Sequence, residues 1–419
     1  MTERSSSTST ILQRLIDILK IVLVTLVLFL LVDFFAGHKL MALVRPAEPF
    51  RTWHPVYHHT LKPNYDGIGH WGDWAYRVCT NSEGFKVSCN QKPLETKSYD
   101  VAFIGDSFTE GLGVPYEQTF VGMVAEQMPD LKIANLGVVS YSPAIYLVKL
   151  KELLAQGYRF KHIIVFVDIS DPYDEANRYD LHNDSIVVDR GEPYPLPLHS
   201  RLRRIASHHL PLTGEAYIQF RKAVRHQPAL NQPIIGTKQD APIKPANQTT
   251  AGPTPAHQNT TNTTSTPSHS QEDKNSKPVL NLYDSIYQRN YPVGEWTYNV
   301  QAANFGAEGV LGTLAKMERE MREIYSLAQA SGAKLSVGVY PWPGQLKYDV
   351  VDSLQVKIWR EFCESRCTHF YNAFPAFFKL VEEKGVDNVI YDYYFAGDVH
   401  FTERGNRVIA RTILDTGIK

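Results

Sequence analysis

The chain has 419 residues, of which 43% are hydrophobic and 21% charged, so it is long enough to bury a substantial core. Its 43 basic residues are matched by 44 acidic ones, which gives a net charge of −1 at pH 7. This balance excludes the strongly basic surface that bulk nucleic-acid binding requires, and we predict no nucleic-acid partner.

The N-terminal region predicts a membrane anchor. Residues 1–10 are polar and rich in Ser and Thr, which predicts a disordered cytoplasmic tail. We predict an anchor at residues 11–43, within which residues 21–35 are almost continuously apolar; a bilayer is spanned by about 20 apolar residues. Basic residues ahead of this stretch favour an N-terminus inside the cell. We therefore expect a single-pass protein of the inner (cytoplasmic) membrane whose remaining residues lie in the periplasm; the alternative is a cleaved signal peptide.

The four cysteines fit an oxidising compartment. Cys79 and Cys89 flank a turn that contains glycine. Cys363 and Cys367 are four residues apart, which is poor disulfide geometry within one regular helix, so the helix must end between them if they pair. Neither pair has Cys-x-x-Cys spacing, and we predict no metal site and no organic cofactor.

Residues 44–98 are rich in Trp, Tyr and His, and we interpret them as a lead-in segment that packs on the domain after it. His58 and His59 are the one candidate metal pair in this segment. Neighbouring residues of a strand point to opposite faces, however, so we predict that these two histidines serve packing or lie at the surface.

From residue 99 the sequence alternates apolar runs with helical periodicity, which is typical of an α/β domain. Continuous apolar runs predict three buried parallel strands, at 99–105, 132–137 and 162–167. Helical spacing predicts a helix at 116–128 and a second one that Ser142 caps and that stops at Gly157. Ser107 follows the first strand, Gly137 ends the second, and Asp168-Ile169-Ser170-Asp171 follows the third.

The alternation is interrupted after the third strand. Residues 172–230 show no clear pattern, and residues 231–278 are low-complexity sequence, which predicts a disordered insert in a surface loop. Beyond the insert we predict a helix ending at Gly332, a strand at 335–340, helices at 352–364 and 374–384, and a last helix capped by Thr402. We therefore assign residues 99–419 to one domain.

The strand ends and the C-terminal region together predict nucleophilic catalysis. Open α/β sheets carry their sites beyond the carboxyl ends of the strands, where Ser107 is expected. A serine nucleophile needs a base and an orienting acid, which His400 and Asp398 of the Asp398-Val399-His400 run can supply. The backbone N–H groups of Ser107 and Gly137 are candidate donors to an oxyanion.

These motifs resemble the SGNH/GDSL hydrolase superfamily, in its membrane-anchored, polysaccharide O-acetyltransferase/esterase-like branch. The matching runs are Gly105-Asp106-Ser107-Phe108-Thr109-Glu110-Gly111, Asn135-Leu136-Gly137 and Gly397-Asp398-Val399-His400-Phe401. The resemblance covers about 99–171 and 308–417 and implies a three-layer α/β/α flavodoxin-like fold. It implies Ser107 as nucleophile, His400 and Asp398 as the acid–base pair, and Gly137 as an oxyanion donor.

The chain departs from the family pattern at two places. The family has Gly-x-Asn-Asp after the third strand, and its Asn is an oxyanion donor; here Ser170 stands at the Asn position and Asp168 at the Gly position, so the resemblance implies the Ser170 hydroxyl as the third candidate oxyanion donor. Many members have Asp-x-x-His where this chain has Asp-x-His, a spacing that the acetyltransferase-like branch shares.

The resemblance implies an extracytoplasmic serine esterase or O-acyltransferase that acts on ester groups, expected to be O-acetyl groups of envelope carbohydrate. The alternative is a catalytically inactive protein of the same fold that binds glycan or a partner within a polysaccharide assembly system. The Ser170 departure motivates that alternative, and labelling of Ser107 by a fluorophosphonate would separate the two.

Overall fold

The computed structural model describes residues 4–44, 48–71, 74–191, 198, 209–214, 216 and 293–418. The insert predicted at 231–278 lies outside the described residues. The first helix, α1, spans Arg4–Val44. Residues 4–10 therefore extend α1 and are not the disordered tail that we predicted, because a nucleated helix adds one hydrogen bond for each further residue.

Helix α1 contains the one stretch of the described chain that is long and apolar enough to cross a membrane. This stretch is Gln13–Gly37, with a mean hydropathy of 2.9; a signal sequence would meet the same criterion. Asp33 lies within it and is buried. Its carboxylate accepts hydrogen bonds from the backbone N–H groups of Leu212 (2.9 Å) and Thr213 (2.8 Å), so this charge in an apolar helix has polar partners.

The lead-in segment folds into two small antiparallel sheets. Strands β1 (Arg51–His54) and β2 (His58–Leu61) form one hairpin, and β3 (Asp66–Trp71), β4 (Trp74–Thr80) and β5 (Lys86–Val87) form a three-stranded sheet. Its large apolar side chains belong to the same core as the domain that follows, namely Phe50, Leu61, Tyr76, Val78 and Phe85. Cys79 and Cys89 form a disulfide at the end of β4.

The domain is built on a five-stranded parallel sheet, which confirms the predicted fold class. Its strands are β6 (Ser98–Ile104), β7 (Ile133–Asn135), β8 (Arg159–Phe166), β11 (Lys334–Val339) and β12 (Phe370–Asn372), and the spatial order is β7-β6-β8-β11-β12. Numbered along the chain, this is the order 2-1-3-4-5 of flavodoxin-like sheets, whose switch point lies between the first and third strands. Residues 172–230, which showed no sequence pattern, include the short hairpin of β9 (Tyr179–His182) and β10 (Ile186–Asp189).

Ten helices of the described domain flank or connect these strands. They are α2 (Ser107–Glu110), α3 (Phe120–Gln127), α4 (Pro143–Ala155), α5 (Asp171–Asn177), α6 (Gly309–Ala330), α7 (Pro343–Tyr348), α8 (Leu354–Cys363), α9 (Phe374–Lys384), α10 (Val386–Tyr393) and α11 (Glu403–Thr416). Helix α3 packs with α11, and α4 packs with α6. Right-handed crossovers put these two pairs on opposite faces of the sheet.

At three helix ends the contacts in the structure can be compared with those that the sequence predicts. Ser142 precedes α4 as predicted, but it does not cap the helix with its side chain. Instead the buried Glu175 accepts hydrogen bonds from the Ser142 hydroxyl (2.6 Å) and the Ala144 N–H (2.8 Å). Thr402 likewise precedes α11, but its hydroxyl donates to the Asp392 carbonyl. Helix α8 ends at Cys363, which pairs with Cys367, as the spacing required.

Candidate active site

Ser107 begins helix α2 directly beyond strand β6, at the carboxyl edge of the sheet. Asp106 caps the helix by accepting a hydrogen bond from the Phe108 N–H at 3.0 Å. A Cβ at Gly105 would lie 2.2 Å from Thr109 Oγ1 and 3.0 Å from the Phe166 carbonyl, so only glycine permits this turn. The turn places the Ser107 hydroxyl at the sheet edge, in a site where the residue is 6% exposed.

Ser107, His400 and Asp398 form one hydrogen-bonded chain. His400 Nε2 lies 2.7 Å from Ser107 Oγ, and His400 Nδ1 lies 2.5 Å from Asp398 Oδ1. Asp398 Oδ1 also accepts the N–H groups of Val399 (2.6 Å) and His400 (2.9 Å), which fixes the carboxylate against the loop that carries the histidine. The structure thus joins the three residues that the sequence predicted, across 293 residues of chain.

The loop between α10 and α11 positions the histidine. Phe401 pairs with Tyr394 in an isolated β-bridge and is buried. The Phe108 ring lies 4.7 Å from the His400 ring and 4.9 Å from the Phe401 ring, so residues of α2 and of this loop share one aromatic cluster. These ring contacts restrict the rotation of the His400 imidazole and keep its Nε2 directed at Ser107 Oγ.

The electrostatics of Asp398 favour an ionised carboxylate. Burial opposes its ionisation, yet the charge of His400 and hydrogen bonds from His400 and Trp71 hold the pKa of Asp398 well below its usual range. An ionised Asp398 orients the His400 Nδ1–H and stabilises the imidazolium that forms when His400 takes a proton.

Trp71 is a site residue that sequence reasoning did not identify. Its indole Nε1–H donates to Asp398 Oδ2 at 2.7 Å, and its ring lies edge-to-face with the His400 ring at 5.3 Å. Trp71 was noted only as one of many aromatics in the lead-in segment. It contacts Asp398 across 327 residues, and no local pattern signals such a contact.

The predicted oxyanion donors differ in whether they already have a hydrogen-bond partner within the protein. Within the described chain no hydrogen bond uses the Ser107 N–H, which is therefore open to a substrate. The Gly137 N–H donates to Asn135 Oδ1 at 3.0 Å, and the Ser170 hydroxyl donates to Asp168 Oδ1 at 2.5 Å. Two of the three predicted donors thus have partners inside the protein.

Gly137 has a steric role as well. A Cβ at this position would lie 2.5 Å from the Glu110 backbone nitrogen and 2.7 Å from the Thr109 carbonyl carbon. Backbone atoms cannot yield as a flexible side chain does, so a larger residue would push α2 and its serine out of place. The glycine lets the loop after β7 come close to the nucleophile helix.

Three buried aspartates lie behind Ser107. Carboxylate oxygens of Asp106, Asp168 and Asp171 all lie within 4.8 Å of one another, a spacing that a metal ion could bridge. Neutral donors already serve each of them: Tyr340 OH (3.1 Å to Asp106), Trp342 Nε1 (2.7 Å to Asp168) and Tyr146 OH (3.0 Å to Asp171). We therefore interpret the cluster as an internal network and assign no metal to it. Burial raises the pKa of all three carboxyls.

His58 and His59 do not point to opposite faces as we predicted from a regular strand. His58 has a φ of +73°, which interrupts the alternation, and the two Nδ1 atoms lie 2.8 Å apart. His58 Nε2 meets Asp189 Oδ1 (2.9 Å) and His59 Nε2 meets the Val139 carbonyl (2.7 Å). Both histidines therefore pack the lead-in segment onto the domain.

No family model and no curated protein matches this chain. Solved structures of esterases do match it. The psychrotrophic esterase EstA from Pseudoalteromonas sp. has 10% sequence identity and a TM-score of 0.32, with 77% of this chain and 96% of that chain covered. The acetylxylan esterase Axe2 from Geobacillus stearothermophilus has 10% identity and a TM-score of 0.37, covering 77% of this chain and 95% of its own.

A member of the lipolytic protein G-D-S-L family from Veillonella parvula also matches, with 10% identity and a TM-score of 0.35, covering 75% of this chain and 96% of that chain. The sheet order and the Ser107–His400–Asp398 hydrogen bonds are observed in this chain directly.

Proposed function

We propose that the chain is a membrane-anchored serine esterase or O-acyltransferase that acts outside the cytoplasm. The observation that carries this proposal is the hydrogen-bonded chain Ser107–His400–Asp398, with 2.7 Å and 2.5 Å between its members. A serine bonded to a histidine that is itself oriented by an ionised carboxylate is the arrangement that activates a hydroxyl as a nucleophile.

The reaction begins when Ser107 Oγ attacks the carbonyl carbon of an ester. His400 Nε2 accepts the hydroxyl proton, and the imidazolium that results is stabilised by Asp398. When the tetrahedral intermediate collapses, the bond to the alcohol breaks and His400 returns its proton to the leaving oxygen. An acyl-Ser107 ester results. Water or a sugar hydroxyl, deprotonated by His400, then attacks the acyl carbonyl carbon. When this second tetrahedral intermediate collapses, the acyl–Oγ bond breaks and His400 returns the proton to Ser107 Oγ, which releases the acid or the new ester and regenerates the serine.

The oxyanion of the intermediate takes the Ser107 N–H as its first donor. The Gly137 N–H and the Ser170 hydroxyl can add to it only by leaving Asn135 and Asp168, their present partners. One lost oxyanion donor costs about 10²–10³ in rate, so the exchange of these partners is a step on which the rate depends.

The substrate that we propose is an O-acyl, chiefly O-acetyl, group of envelope carbohydrate. One indole ring, that of Trp71, borders the Ser107–His400 pair, at 5.3 Å from the His400 ring. Flat aromatic faces suit sugar rings. The apolar helix Gln13–Gly37 supports an envelope location, with the N-terminus inside and the domain in the periplasm.

A catalytically inactive glycan- or partner-binding protein is the second candidate. The observation that favours it is the engagement of Gly137 and Ser170 within the protein, together with the buried Asp168 carboxylate where the family pattern has glycine. A negative charge next to the oxyanion would oppose the anionic intermediate.

Acetate release and transfer separate these candidates. The full chain in detergent, given an acetylated polysaccharide, should release acetate or move it to an added acceptor sugar, and the Ser107→Ala variant should do neither. Turnover that persists in Ser107→Ala would exclude the mechanism. Binding of the polysaccharide without acetate release by the folded wild-type protein would favour the second candidate.

A further inference from the structure

We propose that Trp71 is the positioning residue of the Asp398–His400 pair, so that a hairpin of the lead-in segment completes the active site. This inference deepens the proposed function and rests on it. It assigns a role to the lead-in segment, since the motifs that contain Ser107, Asp398 and His400 all lie outside that segment.

The two carboxylate oxygens of Asp398 accept hydrogen bonds from different donors. Oδ1 accepts the His400 Nδ1–H and two backbone N–H groups, whereas Oδ2 accepts only the Trp71 Nε1–H within the described chain. The side chain of Asp398 is 21% exposed, so water has limited access to Oδ2. Without the indole donor, Oδ2 would be a partly buried anion with no protein partner, and the carboxylate would be free to rotate.

Rotation of the carboxylate would disturb the histidine. Asp398 holds His400 in the tautomer that presents Nε2 to Ser107, and this holding depends on which oxygen faces Nδ1. Trp71 also contacts the imidazole itself, edge-to-face at 5.3 Å. The indole therefore restrains both members of the pair, one by a hydrogen bond and the other by its ring.

The hairpin that carries Trp71 is itself held over the site. Trp71 at the end of β3 pairs with Trp74 at the start of β4. The Trp74 ring lies 4.8 Å from that of Phe395, whose N–H donates to the His400 carbonyl at 2.9 Å. A Cβ at Gly69 would lie 2.8 Å from the Phe50 ring, so close packing fixes β3 from behind. Contacts on both sides of β3 therefore fix the position of the Trp71 indole.

The test is the Trp71→Phe variant of the full chain in detergent, assayed on a chromogenic acetate ester. A hydrogen bond to a charged group contributes enough that kcat should fall about tenfold to a hundredfold while KM stays unchanged. Trp53→Phe is the matched control. Trp53 lies on β1 of the same lead-in segment and is 57% exposed, and its indole N–H makes no hydrogen bond within the described chain, so this variant should keep the wild-type kcat.

A second measurement, by proton NMR, tests the role of Trp71 even if the protein shows no catalytic turnover. The proton in the His400–Asp398 hydrogen bond gives a low-field proton resonance, which should shift or broaden in Trp71→Phe and stay unchanged in Trp53→Phe. If Trp71→Phe fails to fold, 3-benzothienylalanine in place of Trp71 keeps the ring shape and replaces N–H by sulfur. It should show the same loss.

The outcomes of these two measurements are distinct. A wild-type protein with the resonance but without turnover contradicts the proposed function, and the resonance of Trp71→Phe still tests the positioning role. Wild-type kcat, or an unchanged resonance, in a folded Trp71→Phe variant overturns the inference whether or not the proposed function holds.

Discussion

Asp398 is the residue on which the geometry of the site converges. Its Oδ1 orients His400, its Oδ2 is held by Trp71, and two backbone N–H groups fix its plane. Hydrogen bonds of this number to one carboxylate stabilise its ionised form. In the proposed mechanism the orientation of the imidazole, and with it the activation of Ser107, depends on this one side chain.

We predict that Asp398→Asn lowers kcat on an acetate ester by about 10⁴, since an amide leaves the imidazole in the wrong tautomer. Because the pKa of Asp398 is held well below its usual range, the wild-type rate should show no inflection from this carboxyl between about pH 4 and 9. Steady-state kinetics across that range measure both effects. A rate in Asp398→Asn within tenfold of wild type would exclude the orienting role.

Lys86 shows at the residue scale how burial links stability to pH. Its side chain is fully buried, and Nζ donates to the carbonyls of Gly111 (2.8 Å) and Val114 (2.6 Å). Burial lowers the pKa of Lys86 to about 7, opposed by the charge of Glu110. A neutral amine has two N–H groups, which matches the two carbonyls.

We predict that this lysine makes the folded state more stable as pH rises from about 7 to 10. The unfolded chain keeps the amine protonated up to about pH 10.4, so it binds more protons than the folded state throughout this window. The free energy of unfolding should rise by up to about 1.4 kcal/mol per pH unit from this group. Thermal unfolding of wild type and Lys86→Met should therefore diverge with pH, and parallel curves would contradict the prediction.

At the scale of elements, helix α2, which begins at Ser107, is joined to the lead-in segment by a buried ion pair. Arg51 of β1 donates through both terminal nitrogens to Glu110 at the end of α2, at 2.7 and 2.8 Å. Glu110 Oε2 also accepts the Val139 N–H at 2.8 Å, from the loop that contains Gly137. One carboxylate thus joins β1, α2 and the loop after β7.

Removing one partner of this pair should be costly, because it leaves an uncompensated buried charge. We predict that Arg51→Met lowers the free energy of unfolding by about 3–5 kcal/mol. The double variant Arg51→Met/Glu110→Met should recover part of that loss, since it removes both charges. Arg77→Met is the matched control: its pair with Asp66 is 50% and 61% exposed, so its loss should cost much less stability than the loss of Arg51.

Denaturant unfolding measures these differences. If Arg51→Met and Arg77→Met lose similar amounts of stability, the pair with Glu110 does not hold the lead-in segment to α2.

The elements that the sequence predicted well are those with long, regular patterns. Helix α6 was predicted because apolar residues such as Val310, Met317 and Ile324 recur at helical spacing, and all three are buried. The short strands β9 and β10 were missed because four residues carry too little periodicity. The cap of α4 was assigned to Ser142 rather than Glu175, because a contact across about thirty residues leaves no local signal.

At the scale of the whole molecule, the sequence predicts the Ser107–His400–Asp398 set but not the residues that contact it from far along the chain. Ser107, Asp398 and His400 lie in short motifs, so the sequence could predict them together. Trp71 and Arg51 act on the same site from the lead-in segment, where only the packing of the chain brings them to Asp398 and Glu110. The lead-in segment is thus part of the site as well as of the core.

We predict from this organisation that the chain tolerates loss of helix α1 but not of its lead-in segment. A chain that begins at residue 44 should keep the proposed esterase activity, because no described side chain of α1 contacts Ser107, His400 or Asp398. A chain that begins at residue 98 should be insoluble or inactive, since it lacks Trp71, Arg51 and the core residues Phe50 and Phe85. Expression, thermal unfolding and acetate-ester turnover of both chains measure this; activity of the shorter one would contradict it.

The central claim is that His400 and Asp398 activate Ser107 as a nucleophile. Fluorophosphonate labelling of the folded protein, with the labelled peptide identified by mass spectrometry, tests this claim without knowledge of the substrate. We predict one labelled residue, Ser107, with labelling absent in Ser107→Ala and strongly reduced in His400→Ala. A folded wild-type protein that is not labelled, or that is labelled equally in His400→Ala, would contradict the claim and favour a binding role for this fold.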